Sequence, residues 1–378
     1  MDMTKLTFRI SGLALALAGS IAGTAFAQDH SLGALYPMSG SNAEYGQIFS
    51  SGSELAVRHV NEDAMLPGGL TLQIEDSQAL PAQGVTGMNK LVSVDQIPYV
   101  MTSFTGVSKA IAPIGAETGT VMINGGGVGP DLAELGPYFW NIIPLANDEM
   151  RALVPYVVNE LGLQRAVLIY VDDPLGQSVL EVLEDLVPQN GGELVGEHSI
   201  PVTAQQFSGI AATVRTQRPD VIFIASYGAQ QAALVKQLRD NGLDQQLASY
   251  TSFSTPTMQE LPEAAGALFT QQYIDREKGD ALTQRFFDDY IAEYDRDPSI
   301  YVVNYYNAVM LYANLAQYVD EQGQELTGEN LLAARQAIGS FEFVGSTVTF
   351  NENGTVQAPI EIRRLTGNSG SEAVTIVE

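Results

Sequence analysis

The sequence contains no cysteine among its 378 residues. A disulfide therefore cannot stabilise the chain, and if the protein is exported its core must hold it together. A chain of this length can bury enough apolar surface to do so. The same absence removes the thiol to which a lipid anchor is attached after a lipoprotein signal, so we expect a protein that diffuses freely.

Long apolar runs are missing after the first thirty residues. Residues 1–27 combine basic Lys5 and Arg9 with an apolar stretch and the small-x-small ending Ala25-Phe26-Ala27, the form of a cleaved secretory signal. No later segment approaches the ~20 apolar residues of a spanning helix. We therefore expect a soluble mature protein that begins at Gln28. Because free diffusion is useful only in an enclosed compartment, we expect that compartment to be a Gram-negative periplasm.

Positive charge is scarce: 18 Lys and Arg residues face 44 Asp and Glu residues, for a net charge of −26. Removing the predicted signal, which has one net positive charge from Asp2, Lys5 and Arg9, brings the net charge to −27. This charge opposes nucleic-acid binding, which depends largely on Lys and Arg against phosphates, and it disfavours an anionic membrane surface. Adaptation to a saline habitat and ordinary acidic drift both explain it, and neither bears on the ligand.

Histidine is also rare, and the three residues His30, His59 and His198 lie in different predicted elements without metal-ligand spacing. We expect His59 on the outer part of a helix and His198 in a strand. The sequence has no Ser-His-Asp order, nucleophile elbow or P-loop. The pairs Asp172-Asp173 and Asp288-Asp289 are interpreted as solvated faces or helix caps. We therefore predict a protein that is not an enzyme and needs no metal or cofactor.

Short apolar strands alternate with amphipathic helices along most of the chain. Continuous apolar runs at 166–171 (AVLIYV) and 221–225 (VIFIA) are typical of strands covered on both faces. The alternation predicts an α/β protein with parallel sheets flanked by helices, and the length suggests two domains. The last hundred residues hold two predicted helices and a few strands, too little for a third domain. We therefore expect the chain to cross between its two domains more than once.

The order of the segments carries a family resemblance. Residues 35–40 (LYPMSG) and 44–47 (EYGQ) match a first strand, loop and helix start, and residues 74–77 (IEDS) and 218–220 (RPD) match later turns. Over essentially all of residues 28–378, this set resembles the type I periplasmic solute-binding proteins of ABC importers. Within them it resembles the branched-chain amino acid (leucine/isoleucine/valine) receptor family.

The resemblance implies the type I periplasmic binding protein fold: two lobes, each a parallel sheet flanked by helices, joined by a hinge of three crossovers. One lobe would contain residues 28–146 and 276–342, and the other residues 147–275 and 343–378. It also implies a small molecule held in the inter-lobe cleft and handed to an ABC permease of the inner membrane. A periplasmic sensor that docks on a signalling receptor is the alternative function. We expect a monomer.

The carboxyl ends of the predicted strands define where a ligand should lie: after Thr102, Asn124, Val171, Ala225 and Ser249. The turn 103–106 (SFTG) precedes a helix, whose free N–H groups and dipole favour an anion. An ordinary helix N-cap is the alternative interpretation. By resemblance this turn holds the α-carboxylate of amino acid ligands. Its residues are Ser103, Phe104, Thr105, which adds a hydroxyl, and Gly106, which lets a ligand approach the backbone.

The glycine run at residues 125–129 lacks the G-x-G-x-x-G spacing of a dinucleotide site. We interpret it as a loop that brings the backbone of Gly126 and Gly127 to the cleft. In amino acid receptors the same segment commonly ends in a threonine that touches the ligand. Val128 stands at that position here.

The resemblance further implies that Tyr45 and Tyr227 cover the ligand as aromatic walls, although tyrosines that merely pack at element ends would show the same pattern. Leu175 takes the place of a tyrosine in the second lobe. The acidic residue that pairs with a ligand ammonium in the leucine receptors falls near Thr251.

That last difference leaves two alternatives, because a buried ammonium without a partner carries a large desolvation cost. Either another carboxylate substitutes, with Asp172, Asp173 and Glu44 as candidates, or the ligand has no amine. The sequence alone favours the second: a small carboxylate or amide with an apolar body.

Overall fold

The computed structural model describes residues 30–368 and 370–377. The predicted signal at 1–27 and the predicted mature start at Gln28 lie outside the described residues. Among the residues described, no helix has the length and apolar character needed to cross a membrane.

The strands and helices follow one another in the alternation that the apolar runs predict. The strands are β1 (His30–Tyr36), β2 (Leu70–Asp76), β3 (Tyr99–Thr102), β4 (Val121–Asn124), β5 (Phe139–Asn141), β6 (Arg165–Val171), β7 (Glu193–Ile200), β8 (Val221–Ala225), β9 (Gln246–Ser249), β10 (Leu268–Gln272), β11 (Ser340–Phe343), β12 (Ser346–Thr349), β13 (Ile360–Leu365) and β14 (Ser371–Val377). The helices are α1 (Ala43–Glu62), α2 (Pro81–Asn89), α3 (Thr105–Thr118), α4 (Ala146–Pro155), α5 (Pro174–Gln189), α6 (Ser208–Gln217), α7 (Gly228–Asp240), α8 (Pro256–Glu260), α9 (Ala281–Tyr294), α10 (Ile300–Glu321) and α11 (Gly328–Ile338).

The first lobe is built on a five-stranded sheet in the order β2-β1-β3-β4-β5, with every neighbouring pair parallel. Helices α1 and α10 pack against each other beside this sheet. Gly52 permits their close approach, because a Cβ there would lie 2.3 Å from the carbonyl oxygen of Val302. The rings of Phe49 and Tyr305, with centroids 4.4 Å apart, continue the same contact.

The second lobe is built on a seven-stranded sheet in the order β14-β13-β10-β9-β8-β6-β7. The apolar runs at 166–171 and 221–225 are β6 and β8, which pair in parallel inside it and are almost wholly buried. The prediction of parallel sheets flanked by helices is confirmed. One feature was not predicted: β13 and β14 run antiparallel at one edge.

The chain passes between the lobes three times, after β5, after β10 and after β12, so the three-crossover hinge is confirmed. The predicted boundary between residues 342 and 343 falls inside the β11–β12 hairpin. This hairpin contacts first-lobe helices, since the N–H of Val344 donates to Asn307 Oδ1 at 3.0 Å. The structure thus places the third crossing at residues 350–359, after β12.

A buried arginine packs where the first and third crossovers meet. The guanidinium of Arg335 lies 4.5 Å from the ring centroid of Trp140 and 5.1 Å from that of Phe350, and burial lowers its pKa to about 10. Beside it, the N–H of Asn141 donates to the carbonyl of Gly354 at 2.8 Å. These contacts hold the two crossovers together.

The placement of His59 on an outer helix face is wrong. His59 is buried, with Nδ1 2.8 Å from the hydroxyl of Tyr306 and Nε2 3.0 Å from a carboxylate oxygen of Asp289. Burial lowers its pKa. The histidine lies inside because helix α9 covers that face of α1, a packing that the local sequence does not reveal. His198 lies in β7, as predicted.

Candidate functional site

Residues from both lobes line a cavity between the two sheets. About 350 Å³ of space there is not filled by protein atoms, and part of that space is open to solvent. Each of the five segments predicted from strand ends contributes to it, because the carboxyl ends of the parallel strands in both sheets point towards the cleft. Helices α1 and α10 supply the rest. The lining residues are Tyr45, Phe49, Phe104, Thr105, Gly126, Gly127, Val128, Asp173, Leu175, Tyr227, Tyr250 and Tyr301.

One end of the cavity is formed by the start of α3. The residue before the helix, Phe104, has φ +63° and offers no side-chain cap. The first backbone hydrogen bond of the helix runs from the N–H of Ser108 to the carbonyl of Phe104, at 2.9 Å. The N–H groups of Thr105, Gly106 and Val107 therefore precede the first hydrogen bond of the helix, where a negative group is stabilised.

The hydroxyl of Thr105 is also available at this end. Its Oγ1 accepts from the N–H of Gly129 at 3.1 Å, which leaves the hydroxyl proton free to donate to a ligand. The side chain is almost fully buried and faces the cavity. Backbone amides and this hydroxyl together can hold a carboxylate without a positively charged side chain.

The glycine run is explained by its close approach to α3. A Cβ at Gly127 would lie 3.0 Å from the backbone nitrogen of Thr105, and one at Gly129 would lie 2.4 Å from Thr105 Cγ2. The amide of Asn124 holds this loop, with Nδ2 2.7 Å from the carbonyl of Gly127 and Oδ1 2.7 Å from its nitrogen. Val128 lines the cavity with an apolar side chain.

Six aromatic side chains surround the cavity: Tyr45, Phe49, Phe104 and Tyr301 from the first lobe, and Tyr227 and Tyr250 from the second. Four pairs among them meet edge to face, which is a preferred arrangement of aromatic pairs. Tyr45 lies 5.5 Å from both Phe104 and Tyr301, at interplanar angles of 79° and 75°. Phe104 and Tyr227, 5.2 Å apart at 80°, bring the two lobes into contact.

Asp173 is the one acidic side chain among the lining residues, and none of those residues is Lys, Arg or His. It caps α5: Oδ1 accepts from the N–H of Gly176 at 2.9 Å, and Oδ2 accepts from the Tyr227 hydroxyl at 2.6 Å. Burial raises the pKa of Asp173, against the opposing effect of these hydrogen bonds. The cavity therefore contains a desolvated carboxylate without a positively charged neighbour among its lining residues.

The other two carboxylates considered from the sequence lie outside the cavity lining. Asp172 accepts from Gln177 Nε2 at 3.3 Å. Glu44, at the start of α1, accepts from the N–H of Thr257 in the second lobe at 3.0 Å and so joins the two lobes.

The cavity lining includes eight of the eleven residues predicted for the site: Tyr45, Phe104, Thr105, Gly126, Gly127, Val128, Leu175 and Tyr227. Ser103 is buried behind it. Gly106 instead lies between the lobes, where a Cβ would be 3.6 Å from Pro81 and 3.9 Å from Pro174. Thr251 is also outside the lining.

Three lining residues were missed: Phe49, Tyr250 and Tyr301. Phe49 stands four residues after Tyr45 on α1, so both lie on one helix face. Tyr250 directly follows β9. The helical spacing of Phe49 and the strand-end position of Tyr250 could have identified both residues from the sequence. No such pattern marks Tyr301, which comes from α10.

A buried carboxylate missed by the sequence analysis accounts for Thr251. Glu149, in the first turn of α4, accepts from the Thr251 N–H at 2.8 Å, from the Thr251 hydroxyl, and from the Thr270 hydroxyl at 2.7 Å. Burial raises its pKa to about 7, although these hydrogen bonds oppose the rise. An acidic group thus lies at Thr251 after all, but it comes from another helix and is not part of the cavity lining.

This carboxylate makes folding stability depend on pH. Because the pKa of Glu149 is higher in the folded state (about 7) than the ordinary value of 4.5, its contribution is complete below about pH 4.5 and is lost as pH rises through 7. Between pH 5 and 8, wild type should lose on the order of 3 kcal/mol of unfolding free energy relative to Glu149→Gln. Urea melts at several pH values measure this, with exposed Glu181→Gln as the control. Parallel pH profiles for wild type and Glu149→Gln would contradict it.

Comparison with known proteins gives a consistent picture. The periplasmic binding protein family profile matches residues 30–371. The Leu/Ile/Val-binding protein homolog 1 of Brucella suis is 25% identical over 366 residues, covering 94% of this chain and 95% of that protein.

Solved structures share the fold. The branched-chain amino acid transporter substrate-binding protein LivJ of Streptococcus pneumoniae, in complex with isoleucine, superposes with a TM-score of 0.81 at 19% identity, covering 92% of this chain and 99% of LivJ. A solute-binding protein of an ABC transporter from R. palustris, in complex with benzoate, also gives a TM-score of 0.81 at 19% identity, covering 92% and 96%. These similar proteins are binding proteins rather than enzymes.

Proposed function

Because the chain belongs to the periplasmic binding protein family, we propose that it is the solute receptor of an ABC importer, and that it binds a small organic solute through a carboxylate at the start of α3. The observation that carries the proposal is the cavity between the lobes, which has one end formed by the free N–H groups of α3 and the Thr105 hydroxyl. The receptor would work in the periplasm as a freely diffusing monomer.

The ligands of the structural neighbours support a carboxylate. Isoleucine and benzoate, bound by two proteins of the same fold, differ in size, shape and charge but share this group. Among the described residues that line the site there is no Lys or Arg to bind an anion. The helix N–H groups and the Thr105 hydroxyl are the donors proposed to do so.

Lobe closure follows from the position of the cavity. Its lining comes from both lobes, so a solute inside contacts both only when they are together. Such a ligand shifts the population towards the closed form by as much as its affinity for that form exceeds its affinity for the open one. A permease that recognises the closed pair of lobes would then engage only the loaded receptor.

Thermal unfolding of the mature protein tests the binding. The panel comprises branched-chain amino acids, aromatic and aliphatic carboxylates, betaines, amides and the methyl ester of each acid. A ligand at 100 times its Kd adds about 2.7 kcal/mol to the unfolding free energy, so the midpoint should rise with at least one acid and not with its ester. A rise with the ester or amide as large as with the acid would remove the carboxylate from the proposal.

Uptake separates transport from sensing. In cells that lack the gene, uptake of the radiolabelled panel ligand should fall to background and return when the gene is restored. Unchanged uptake, together with loss of a transcriptional response to the same ligand, would favour a periplasmic sensor that docks on a signalling receptor.

A further inference from the structure

The cavity combines a negatively charged side chain with aromatic rings. Asp173 supplies the charge, and six rings surround the space. A ligand with only a carboxylate would add a second negative charge, and no lining side chain offsets either one. A positively charged group on the ligand would balance Asp173.

The hydrogen-bond acceptors in the cavity bear on which kind of cationic group the ligand carries. A primary ammonium brings three N–H donors, each of which needs an acceptor once buried. Each oxygen of Asp173 already accepts one hydrogen bond, from Gly176 or from Tyr227, and keeps one lone pair open. The Tyr250 hydroxyl donates to the carbonyl of Ser226 at 2.9 Å. The buried Tyr45 hydroxyl has no hydrogen-bond partner among the described residues and is a further open acceptor. A primary ammonium would therefore have to place its three N–H groups on the free lone pairs of Asp173 and on Tyr45.

A methylated ammonium needs none of these acceptors. Its charge is spread over methyl groups that pack against ring faces, and cation–π attraction in an aromatic cage is strongest when the site is desolvated. We propose that the ligand is a small betaine-type zwitterion. Its methylated ammonium lies among the rings near Asp173, and its carboxylate lies at the start of α3. This inference rests on the proposed solute-receptor function and names its substrate class.

Tyr227 is the positioning residue in this arrangement. Its hydroxyl holds Asp173 Oδ2 at 2.6 Å, and its ring contacts Phe104 from the opposite lobe. The hydroxyl keeps the negative charge in place while it occupies one of the lone pairs that a primary ammonium could use. The pair Asp173–Tyr227 thus leaves fewer acceptors for a primary ammonium, whereas a methylated ammonium needs none.

Neutral isosteres provide the test. Replacing the nitrogen by carbon converts glycine betaine to 3,3-dimethylbutanoate, and γ-butyrobetaine to 5,5-dimethylhexanoate, so each pair differs only in the cationic charge. Calorimetric titration at pH 7.5 should show at least one betaine binding 10-fold or more tightly than its isostere. The same betaine should bind more tightly than its unmethylated analogue, glycine or 4-aminobutanoate.

Two variants test whether Asp173 and Tyr227 cause the preference for the betaine. Asp173→Asn should reduce the preference for the betaine over its isostere to about threefold or less, whereas Asp172→Asn, the neighbouring carboxylate outside the cavity lining, should leave it unchanged. Tyr227→Phe keeps the ring and frees an acceptor on Asp173. It should therefore shift selectivity towards the unmethylated analogue, which also tests the proposal if Asp173→Asn folds poorly.

The outcomes separate this inference from the proposed function. Equal or tighter binding of an isostere, or of benzoate, would overturn the cationic ligand and leave the solute receptor standing. Tighter binding of leucine, glycine or 4-aminobutanoate than of either betaine would overturn the methylated group. Failure of every panel member to bind would overturn the solute-receptor function and this inference with it.

Discussion

Gly127→Val is expected to lower affinity for the strongest panel ligand by more than about 100-fold, or about 2.7 kcal/mol, with the fold retained. A Cβ at this position would lie 3.0 Å from the nitrogen of Thr105 and 3.1 Å from both the carbonyl carbon of Phe104 and Asn124 Oδ1. Two of these neighbours are backbone atoms that cannot move without displacing the start of α3. The two methyl groups of valine would then occupy the anion end of the cavity.

Calorimetric titration measures the loss, and a thermal melt checks the fold. Gly209→Val is the matched control, because a Cβ at that helical glycine has no heavy atom within 4 Å, and it should bind like wild type. Gly127→Ala should show an intermediate loss, since it displaces α3 without filling the cavity. Affinity within threefold of wild type in Gly127→Val would remove the α3 terminus from the site.

Tyr227→Ala is the second large effect, with an expected loss of more than about 1 kcal/mol, a fivefold or greater drop in affinity. The substitution removes a ring from the cavity wall and the contact with Phe104 that joins the lobes. It also removes the hydrogen bond to Asp173 Oδ2, so that carboxylate would face the cavity without its partner.

The control is Tyr318→Ala, which truncates another half-buried tyrosine, on α10 and outside the cavity lining. It should change the melting temperature but not the affinity. Tyr227→Phe distinguishes the contribution of the ring from that of the hydroxyl. It should retain most of the affinity, because the ring remains, while selectivity shifts towards the unmethylated analogue. Full affinity in Tyr227→Ala would show that the ring does not cover the ligand.

The local sequence identified the positions of the loops that form the site. It did not identify which side chains contact one another across the cavity. The glycines at 126 and 127 and the turn before α3 follow strands that the apolar runs identify. Because the strands are parallel, their carboxyl ends lie at the same cleft. Asp173 was one of three carboxylates that looked equivalent along the chain. Only its cap on α5 and its contact with Tyr227 distinguish it from Asp172.

Whether the ligand carries an amine could not be decided by comparing single sequence positions with a known family. With a threonine at 251, the sequence leaned to a ligand without an amine. The folded chain brings two carboxylates to the region, Asp173 in the cavity lining and Glu149 against Thr251. Both come from other segments of the chain, so a substitution at one position does not reveal a charge that another segment supplies.

By itself the sequence determined the α/β class, the parallel sheets and the loops at the strand ends, which follow from apolar periodicity and strand order acting over short stretches of chain. The two lobes came from the resemblance to a known family. The tertiary structure alone decided which side chains enclose the cavity, because Tyr301 and Phe49 approach through the packing of α10 on α1. It also decided which carboxylate faces the ligand, because burial and hydrogen-bond partners depend on residues far apart in the chain.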